Sequence, residues 1–231
     1  MIFNVIRSII SGRSIDISSV TAQVLATIFV IVCILPLHEL AHGWVANKLG
    51  DPTAKLERRL TLNPLASVDP VGTVWLFLFG FGWAKPVPVD PRYFKKPKRD
   101  MAIVAAAGPI SNLLAALAGA VLAYVLIIFV PYNGVTAFVL NVFQYYVMVN
   151  VTLAAFNLLP VPPLDGSRIL GACLSDRALS VYYRYQNIFV MGMFVLMFSG
   201  ALSGPLFAIE NLFSRAVFTV AGLPFRLFGL L

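Results

Sequence analysis

The apolar positions of this chain are gathered into four long runs, separated by stretches that are richer in charge, proline and glycine. Each run approaches or exceeds the roughly 20 residues that a helix needs to cross the hydrocarbon core of a bilayer. We therefore expect an all-α polytopic membrane protein with at least four transmembrane helices, at residues 20–37, 101–130, 135–159 and 187–209.

Residues 68–88 form a shorter apolar stretch between the first two runs, and this stretch is too broken for a regular spanning helix. Because valine and aromatic side chains favour extended structure, we expect a short membrane-associated β-hairpin-like segment here. Irregular backbone at membrane depth persists only against protein or a water-filled cavity, so this segment should border the functional site. The interrupting residues are Pro70, Gly72, Gly80, Gly82, Pro86 and Pro88.

The composition excludes a water-soluble globule. The chain of 231 residues is 59% hydrophobic and only 12% charged, about half the charge of an ordinary soluble domain. The tail at residues 205–231 mixes charges with apolar residues, so the sequence leaves two interpretations open: it lies in the membrane interface or forms a weaker fifth span.

The net charge of +7 is informative through its distribution, because ten of the seventeen basic residues lie between the first and second runs. Cytoplasmic loops of membrane proteins are enriched in lysine and arginine, so we expect this loop to be cytoplasmic. No nucleic-acid-binding motif accompanies the charge, and we expect no nucleic-acid partner. The same orientation places a second cytoplasmic loop after the third helix, with Arg168, Arg177 and Arg184.

The candidate chemistry begins with His38, Glu39 and His42, which form an HExxH motif and include the only two histidines of the chain. Histidines at i and i+4 project from one helix face, where they can hold one zinc ion, and Glu39 can act as the general base. In the alternative, the histidines only hydrogen-bond neighbouring helices and Glu39 pairs with an arginine. Burying three such groups without a metal is costly, which favours the metal site.

A catalytic zinc usually has three protein ligands, and Asp165 is the best candidate for the third. The first helix leaves the membrane just after His42, and the third leaves it before Asp165 on the same side. Prolines before Asp165 and Gly166 after it permit a tight turn back toward the histidines. Asp165 can equally be the N-cap of a helix that begins near Ser167, and the spacing leaves both roles open.

Three motifs together resemble the site-2 protease family of intramembrane zinc metalloproteases. They are the HELAH sequence at residues 38–42, the LDG triplet at residues 164–166 within an NxxPxPxLDG-like stretch, and GPISN at residues 108–112. The resemblance covers residues 20–170, a three-helix catalytic core. It is closest to compact prokaryotic members, which lack PDZ and CBS domains and have stretches similar to GDPTA at residues 50–54 and GWAKPV at residues 82–87.

The resemblance implies one zinc ion per chain, held by His38, His42 and Asp165. It also implies that Asn112 and Asn157 line the site. We expect Asn112 to support the developing oxyanion as a catalytic residue and Asn157 to contact the substrate. Their alternatives are an interhelical hydrogen bond for Asn112 and a backbone hydrogen bond for Asn157.

The expected activity is that of an intramembrane zinc metalloendopeptidase, which hydrolyses peptide bonds of transmembrane or membrane-anchored proteins in regulated intramembrane proteolysis. The hairpin-like segment can hold an unwound substrate by strand addition. The alternatives are a metal-binding or metal-transporting membrane protein without hydrolase activity, and a silent scaffold for transmembrane partners.

We expect residues 1–231 to form a single membrane-embedded protease domain, with the core at about 20–170 and C-terminal helices at about 186–231. The location is a prokaryotic cell membrane, where the chain is multi-pass, contacts the lipid bilayer and keeps its active site toward the cytoplasm. The sequence does not specify an oligomeric state.

Overall fold

The computed structural model describes residues 16–79 and 84–230, and this part of the chain contains helices and no strand. Four helical stretches are long and apolar enough to cross a membrane. These are Ile17–Lys48, Pro97–Phe129, Gly134–Asn157 and Ser203–Leu227. The expected all-α polytopic architecture is therefore confirmed at this level.

The first span consists of α1 (Ile17–Phe29) and α2 (Leu35–Lys48), and the loop after it contains α3 (Thr53–Leu56), α4 (Pro64–Ser67) and α5 (Pro70–Phe79). The second and third spans are α6 (Pro97–Phe129) and α7 (Gly134–Asn157). The remainder forms α8 (Asp165–Cys173), α9 (Asp176–Arg184), α10 (Gln186–Phe198) and α11 (Ser203–Leu227).

A π-helical turn at Val30–Ile34 joins α1 to α2 within one continuous span. Leu35 donates its N–H to the carbonyl of Val30, five residues earlier. The next residue is Pro36, which has no N–H to donate and whose ring crowds the preceding turn. A widened turn accommodates such a residue without ending the helix, and π turns are frequent beside functional sites.

Small residues bring the three core spans together. Helix α6 packs against α2, α7 and α8, and α7 packs against α1. Along α6 the buried positions include Ala116, Gly119 and Ala120, which let the neighbouring backbones approach closely. The ring of Tyr146 on α7 occupies the space beside Gly119. The opposite face of α6 exposes Ile110, Leu114, Leu122 and Ile127, as expected of a surface in contact with lipid.

The expected β-hairpin between the first two core helices is wrong. Residues Pro70–Phe79 form helix α5, residues 80–83 lie outside the described part, and residues 84–90 are an extended single segment. Pro70 fits the first turn of a helix, where its missing N–H costs nothing. Asp69 accepts the N–H of Gly72 at 2.8 Å and so supports this helix start. The β preference of valine and aromatic residues is context-dependent and yields here to a helix, which satisfies its own backbone.

The fourth predicted span, residues 187–209, is also wrong in its position. Helix α10 ends at Phe198, a turn follows, and the fourth apolar helix long enough to cross is α11. Leu202 and Leu206 pack with Phe156 and Leu159, which lie at the end of α7. The start of α11 therefore lies close to the end of α7. The tail that the sequence left open is part of a candidate span.

Helix α11 runs alongside α6 and antiparallel to α7. Near its start, Glu210 accepts a hydrogen bond from the Thr152 hydroxyl at 2.8 Å, close to the last turns of α7. Near its end, the ring of Phe225 lies 5.8 Å from that of Tyr124, close to the end of α6. A polar pair between apolar spans fixes the depth of one helix against the other.

This direction of α11 predicts which loops share a side of the membrane. In a background of Cys33→Ala and Cys173→Ala, single cysteines at Tyr132 and Leu230 should react with a membrane-impermeant maleimide on one side of sealed vesicles. A cysteine at Lys95 should react on the opposite side. Labelling of Leu230→Cys from the same side as Lys95→Cys would contradict the direction of α11.

Candidate metal centre and its surroundings

Helix α2 carries both histidines on its buried face. His38 and His42 are 6% exposed each, and Glu39 between them is 8% exposed. The spacing of four residues places the two rings one above the other, with Nε2 of His38 and Nε2 of His42 3.0 Å apart. The two rings are nearly perpendicular, so their Nε2 atoms converge on one point.

Hydrogen bonds to the other ring nitrogens set the tautomers. The Nδ1–H of His42 donates to the carbonyl of Val104 on α6 at 2.7 Å, and the Nδ1–H of His38 faces Oδ1 of Asn112 at 3.3 Å. Because the proton of each neutral imidazole is on Nδ1, each Nε2 presents a lone pair. This is the arrangement that metal-binding histidines use, with an outer partner that fixes the ring.

Asp165 joins the histidines from the first turn of α8. Its Oδ2 lies 3.4 Å from Nε2 of His38 and 3.3 Å from Nε2 of His42. The N-cap position of α8 is occupied by Leu164, so the capping alternative for Asp165 does not describe its contacts. Gly166 allows this turn, because a Cβ at that position would collide with the carbonyl groups of Leu158 and Leu159.

The three side chains fit a metal ion. Two lone-pair nitrogens and a carboxylate oxygen face one another, with all three ligand atoms within 4.8 Å of one another. Oδ2 of Asp165 is buried, and no described residue donates a hydrogen bond to it. Three acceptors in contact repel one another unless a cation lies between them. Their separations approach the ~3.3 Å expected between ligands of a tetrahedral zinc ion. Imidazole and carboxylate ligands also suit zinc chemically.

Gly108 on α6 provides the space for this cluster. A Cβ at that position would fall within contact distance of Nε2 of both His38 and His42. The space in front of the imidazoles is thus kept open by the one residue without a side chain. The GPISN motif marks Gly108 in the sequence, but the motif alone does not show that this glycine leaves space for the imidazoles.

Glu39 faces the same cavity and has a single backbone partner. Its Oε2 accepts the N–H of Val87 at 2.7 Å. The cavity has a volume of about 190 Å³, and its walls include His38, His42, Asp165 and Asn157. The apolar part of the lining consists of Leu35, Ala84, Pro86, Val87, Val89, Leu153, Pro163 and Leu164.

The extended segment at residues 84–90 is fastened to the helices at several points. Lys85 donates its N–H to the carbonyl of Ser67 at 2.7 Å, and the guanidinium of Arg59 donates to the carbonyls of Lys85 and Pro86. With the Val87 to Glu39 bond, these contacts hold the segment as one wall of the cavity. The sequence prediction that this region borders the site therefore agrees with the geometry, although its conformation is not a hairpin.

Asp51 secures the far end of that segment. Its side chain is fully buried and accepts the N–H of Asp90 at 2.8 Å, together with the N–H and hydroxyl of Thr53. Asp90 in turn holds Arg92 in an ion pair, and this hydrogen bond keeps the pKa of the Asp90 carboxyl below its usual value. A carboxylate just after α2 thus connects the HExxH helix to the wall opposite it.

The two asparagines lie at the site with different surroundings. Asn112 is fully buried, and its Oδ1 faces the outer nitrogen of His38, while its Nδ2 has no hydrogen-bond partner in the described part of the chain. Asn157 lines the cavity and donates from Nδ2 to the carbonyl of Leu153 at 3.0 Å. The expected catalytic role of Asn112 and substrate contact of Asn157 stay predictions.

Sequence reasoning missed Arg168, which lines the same cavity. It was interpreted as a loop residue that contributes to cytoplasmic charge. Its spacing from Asp165 was an available signal, because residues three apart on a helix lie on the same face.

The comparisons with known proteins agree with this geometry. The model of peptidase family M50 matches residues 26–133 and 126–200 of the chain. The chain belongs to peptidase family M50. This confirms the resemblance to the site-2 protease family, and the four apolar helices are those of a multi-pass membrane protein. No solved structure matches the chain.

Three relatives carry the description "Putative zinc metalloprotease". YwhC of Bacillus subtilis is 46% identical over 140 residues, which cover 58% of this chain and 62% of that protein. Rip2 of Mycobacterium tuberculosis strain H37Rv is 29% identical over 201 residues, covering 83% of this chain and 73% of its own length. MJ0611 of Methanocaldococcus jannaschii is 31% identical over 133 residues, again 58% and 62% of the two chains. The chain spans less than two thirds of the length of YwhC and of MJ0611.

The space at Gly108 gives a specific prediction. In the variant Gly108→Ala, the added methyl group should displace the imidazoles and lower zinc affinity by at least about 10-fold, whereas helix content should be retained because alanine favours helix. Zinc titration and circular dichroism measure the two effects. Gly192→Ala is the matched control, since a Cβ at Gly192 meets nothing within 4 Å. Full zinc affinity in Gly108→Ala would contradict the geometry of the site.

The anchor at Asp51 gives a second prediction. Asp51→Ala leaves the part-buried N–H groups of Thr53 and Asp90 without an acceptor, so the free energy of unfolding should fall by about 2 kcal/mol. Limited proteolysis should then cut within residues 84–90 faster than in the unmodified protein. Glu57→Ala, at an exposed position, serves as the control. Unchanged thermal unfolding and unchanged proteolysis of Asp51→Ala would show that Asp51 does not hold this wall.

Proposed function

We propose that this chain is an intramembrane zinc metalloendopeptidase of the site-2 type, with one zinc ion held by His38, His42 and Asp165. Its substrates are transmembrane or membrane-anchored proteins. The observation that carries the proposal is the convergence of two imidazole Nε2 atoms and one carboxylate Oδ2 in a cavity that also contains Glu39. The family and the relatives support the same chemistry.

When bound, zinc supplies Lewis acidity, which polarises a peptide carbonyl and lowers the pKa of a water molecule. The proton transfers are carried out by Glu39. The Val87 N–H occupies Oε2 of Glu39, which leaves Oε1 as the oxygen that accepts a proton from the attacking water. The same carboxyl then delivers this proton to the nitrogen of the leaving amine. Asn112 and Val104 keep the two imidazoles oriented throughout.

The size of the cavity supports a substrate that is unwound before cleavage. The cavity, of about 190 Å³, is small beside an α-helix, which is about 10 Å across with its side chains. An extended stretch of one or two residues can enter beside Glu39, and a helix cannot. The apolar walls exclude bulk water from the reacting groups, which strengthens their electrostatic interactions.

The basic loops support an active site that faces the cytoplasm. The extended wall is flanked by Arg59, Lys85 and Arg92, and α6 starts beyond Lys95 and Lys96, all at the end of the bundle where Asp165 approaches α2. Lysine and arginine concentrate on the cytoplasmic side of membrane proteins. A prokaryotic cell membrane is the proposed location.

The variant Glu39→Gln tests the proposal. It keeps the side-chain volume but removes the proton acceptor, so cleavage of a model transmembrane peptide should fall by about 100- to 10,000-fold while zinc content is unchanged. Zinc analysis and gel-based cleavage with purified protein in lipid vesicles measure both. Exposed Glu57→Gln is the matched control.

Other outcomes point to other functions. Zinc flux that persists in Glu39→Gln vesicles, without any cleavage by the unmodified protein, would identify a transporter. The variant Asp165→Ala should lose both its zinc and its cleavage activity. An unmodified, zinc-loaded protein that cuts no membrane peptide would overturn the proposal.

A further inference from the structure

Arg168 is a cation in the cavity, and none of the described residues gives it an anionic partner. It lies on α8 three residues after Asp165 and lines the cavity together with Glu39 and Asn157. Within residues 16–79 and 84–230, no carboxylate lies within ion-pair distance of its guanidinium. Among these residues its one polar contact is with Met101, whose sulfur lies 3.9 Å from Nη1.

In the described part of the chain, three of the other cations at this end of the bundle form ion pairs with carboxylates. Arg92 pairs with Asp90, Lys98 with Asp176 and Arg99 with Asp100. A thioether is a weak acceptor, so Met101 leaves the donors of Arg168 essentially unused. A half-buried guanidinium with free N–H donors inside this cavity can bind an acceptor group that belongs to another molecule.

The contact with Met101 defines where that ligand group would lie. Met101 precedes Val104 by three residues on α6, and the carbonyl of Val104 holds His42. The guanidinium is therefore displaced from the imidazoles by about one helical turn, ~5 Å, toward the loop end of α6. An extended peptide advances about 3.3 Å per residue, so Arg168 reaches substrate residues within about two positions of the scissile bond.

The chemistry of the guanidinium selects a carboxylate. Arginine stays charged and offers paired N–H donors whose geometry matches both oxygens of a carboxylate. The two carboxylates of the cavity, Glu39 and Asp165, balance one divalent cation, so Arg168 leaves the loaded cavity with one positive charge. A substrate group with one negative charge complements it, and a lysine or arginine at the same place is repelled.

We propose that Arg168 is a specificity-determining residue that binds an aspartate or glutamate side chain of the substrate within about two residues of the cleaved bond. The inference rests on the proposed protease function. It implies selection against many membrane proteins, because the cytoplasmic ends of their helices are typically basic. Arg168 thus favours the minority of membrane segments with an acidic residue beside the cytoplasmic boundary.

A charge-exchange experiment tests the inference. The full-length, zinc-loaded protein in lipid vesicles is given matched transmembrane peptides with Glu, Gln or Lys at each of two positions on either side of the cleaved bond. At one position the kcat/KM of the unmodified protein should favour Glu over Gln by about 10- to 100-fold and disfavour Lys. Arg168→Gln should abolish the Glu preference, Arg168→Lys should keep part of it, and Arg168→Glu should prefer Lys.

Two controls separate specificity from structure. Arg184→Glu changes the net charge by the same amount as Arg168→Glu, at an exposed site on α9, and should keep the Glu preference. Zinc content is measured for every variant, independently of activity. Loss of zinc from all three Arg168 variants would show that Arg168 only positions Asp165 and would overturn the inference.

The outcomes for the two proposals are distinct. Equal cleavage of the Glu, Gln and Lys peptides by the unmodified protein, or an unchanged Glu preference in Arg168→Gln, overturns the role of Arg168 alone. A zinc-loaded protein that cleaves none of the peptides overturns the protease proposal, and the inference with it.

Discussion

Three hydrogen-bond acceptors in mutual contact, inside a membrane-spanning bundle, are the constraint on which the rest of this structure depends. Nε2 of His38, Nε2 of His42 and Oδ2 of Asp165 come from two helices that are distant in sequence. Their mutual repulsion at this burial is relieved by a cation bound between them. The bond from His42 to Val104 sets the lone pairs, and the bare backbone at Gly108 leaves room for them.

The wall opposite this cluster is held by the same helix that carries the histidines. Glu39 binds the N–H of Val87, and Asp51, just beyond the end of α2, binds the N–H of Asp90. Glu39, the proposed general base, is therefore also a structural contact of the cavity wall. An extended segment without a strand partner keeps its place because side chains replace the hydrogen bonds that a second strand would provide.

The sequence predicted the spans of α6 and α7 and the HExxH pair because both depend on local periodicity. It failed for α5 and for residues 187–209, since hydropathy records how apolar a segment is and not where the chain turns between Phe198 and Ser203. Asp165 needed the family resemblance on top of the spacing argument. Arg168 and Asp51 were missed because their roles arise from contacts between segments distant in sequence, which no local pattern encodes.

The π-helical turn before Pro36 has a consequence for how the first span is shared between lipid and protein. An extra residue within one turn rotates everything after it by about 100° relative to everything before it. The stretch from Ile17 to Phe29 packs against α7, while the motif beyond Leu35 keeps an independent angular phase that turns it toward α6 and Asp165. Amino-acid changes in α1 therefore leave the orientation of the histidines on α2 unaffected.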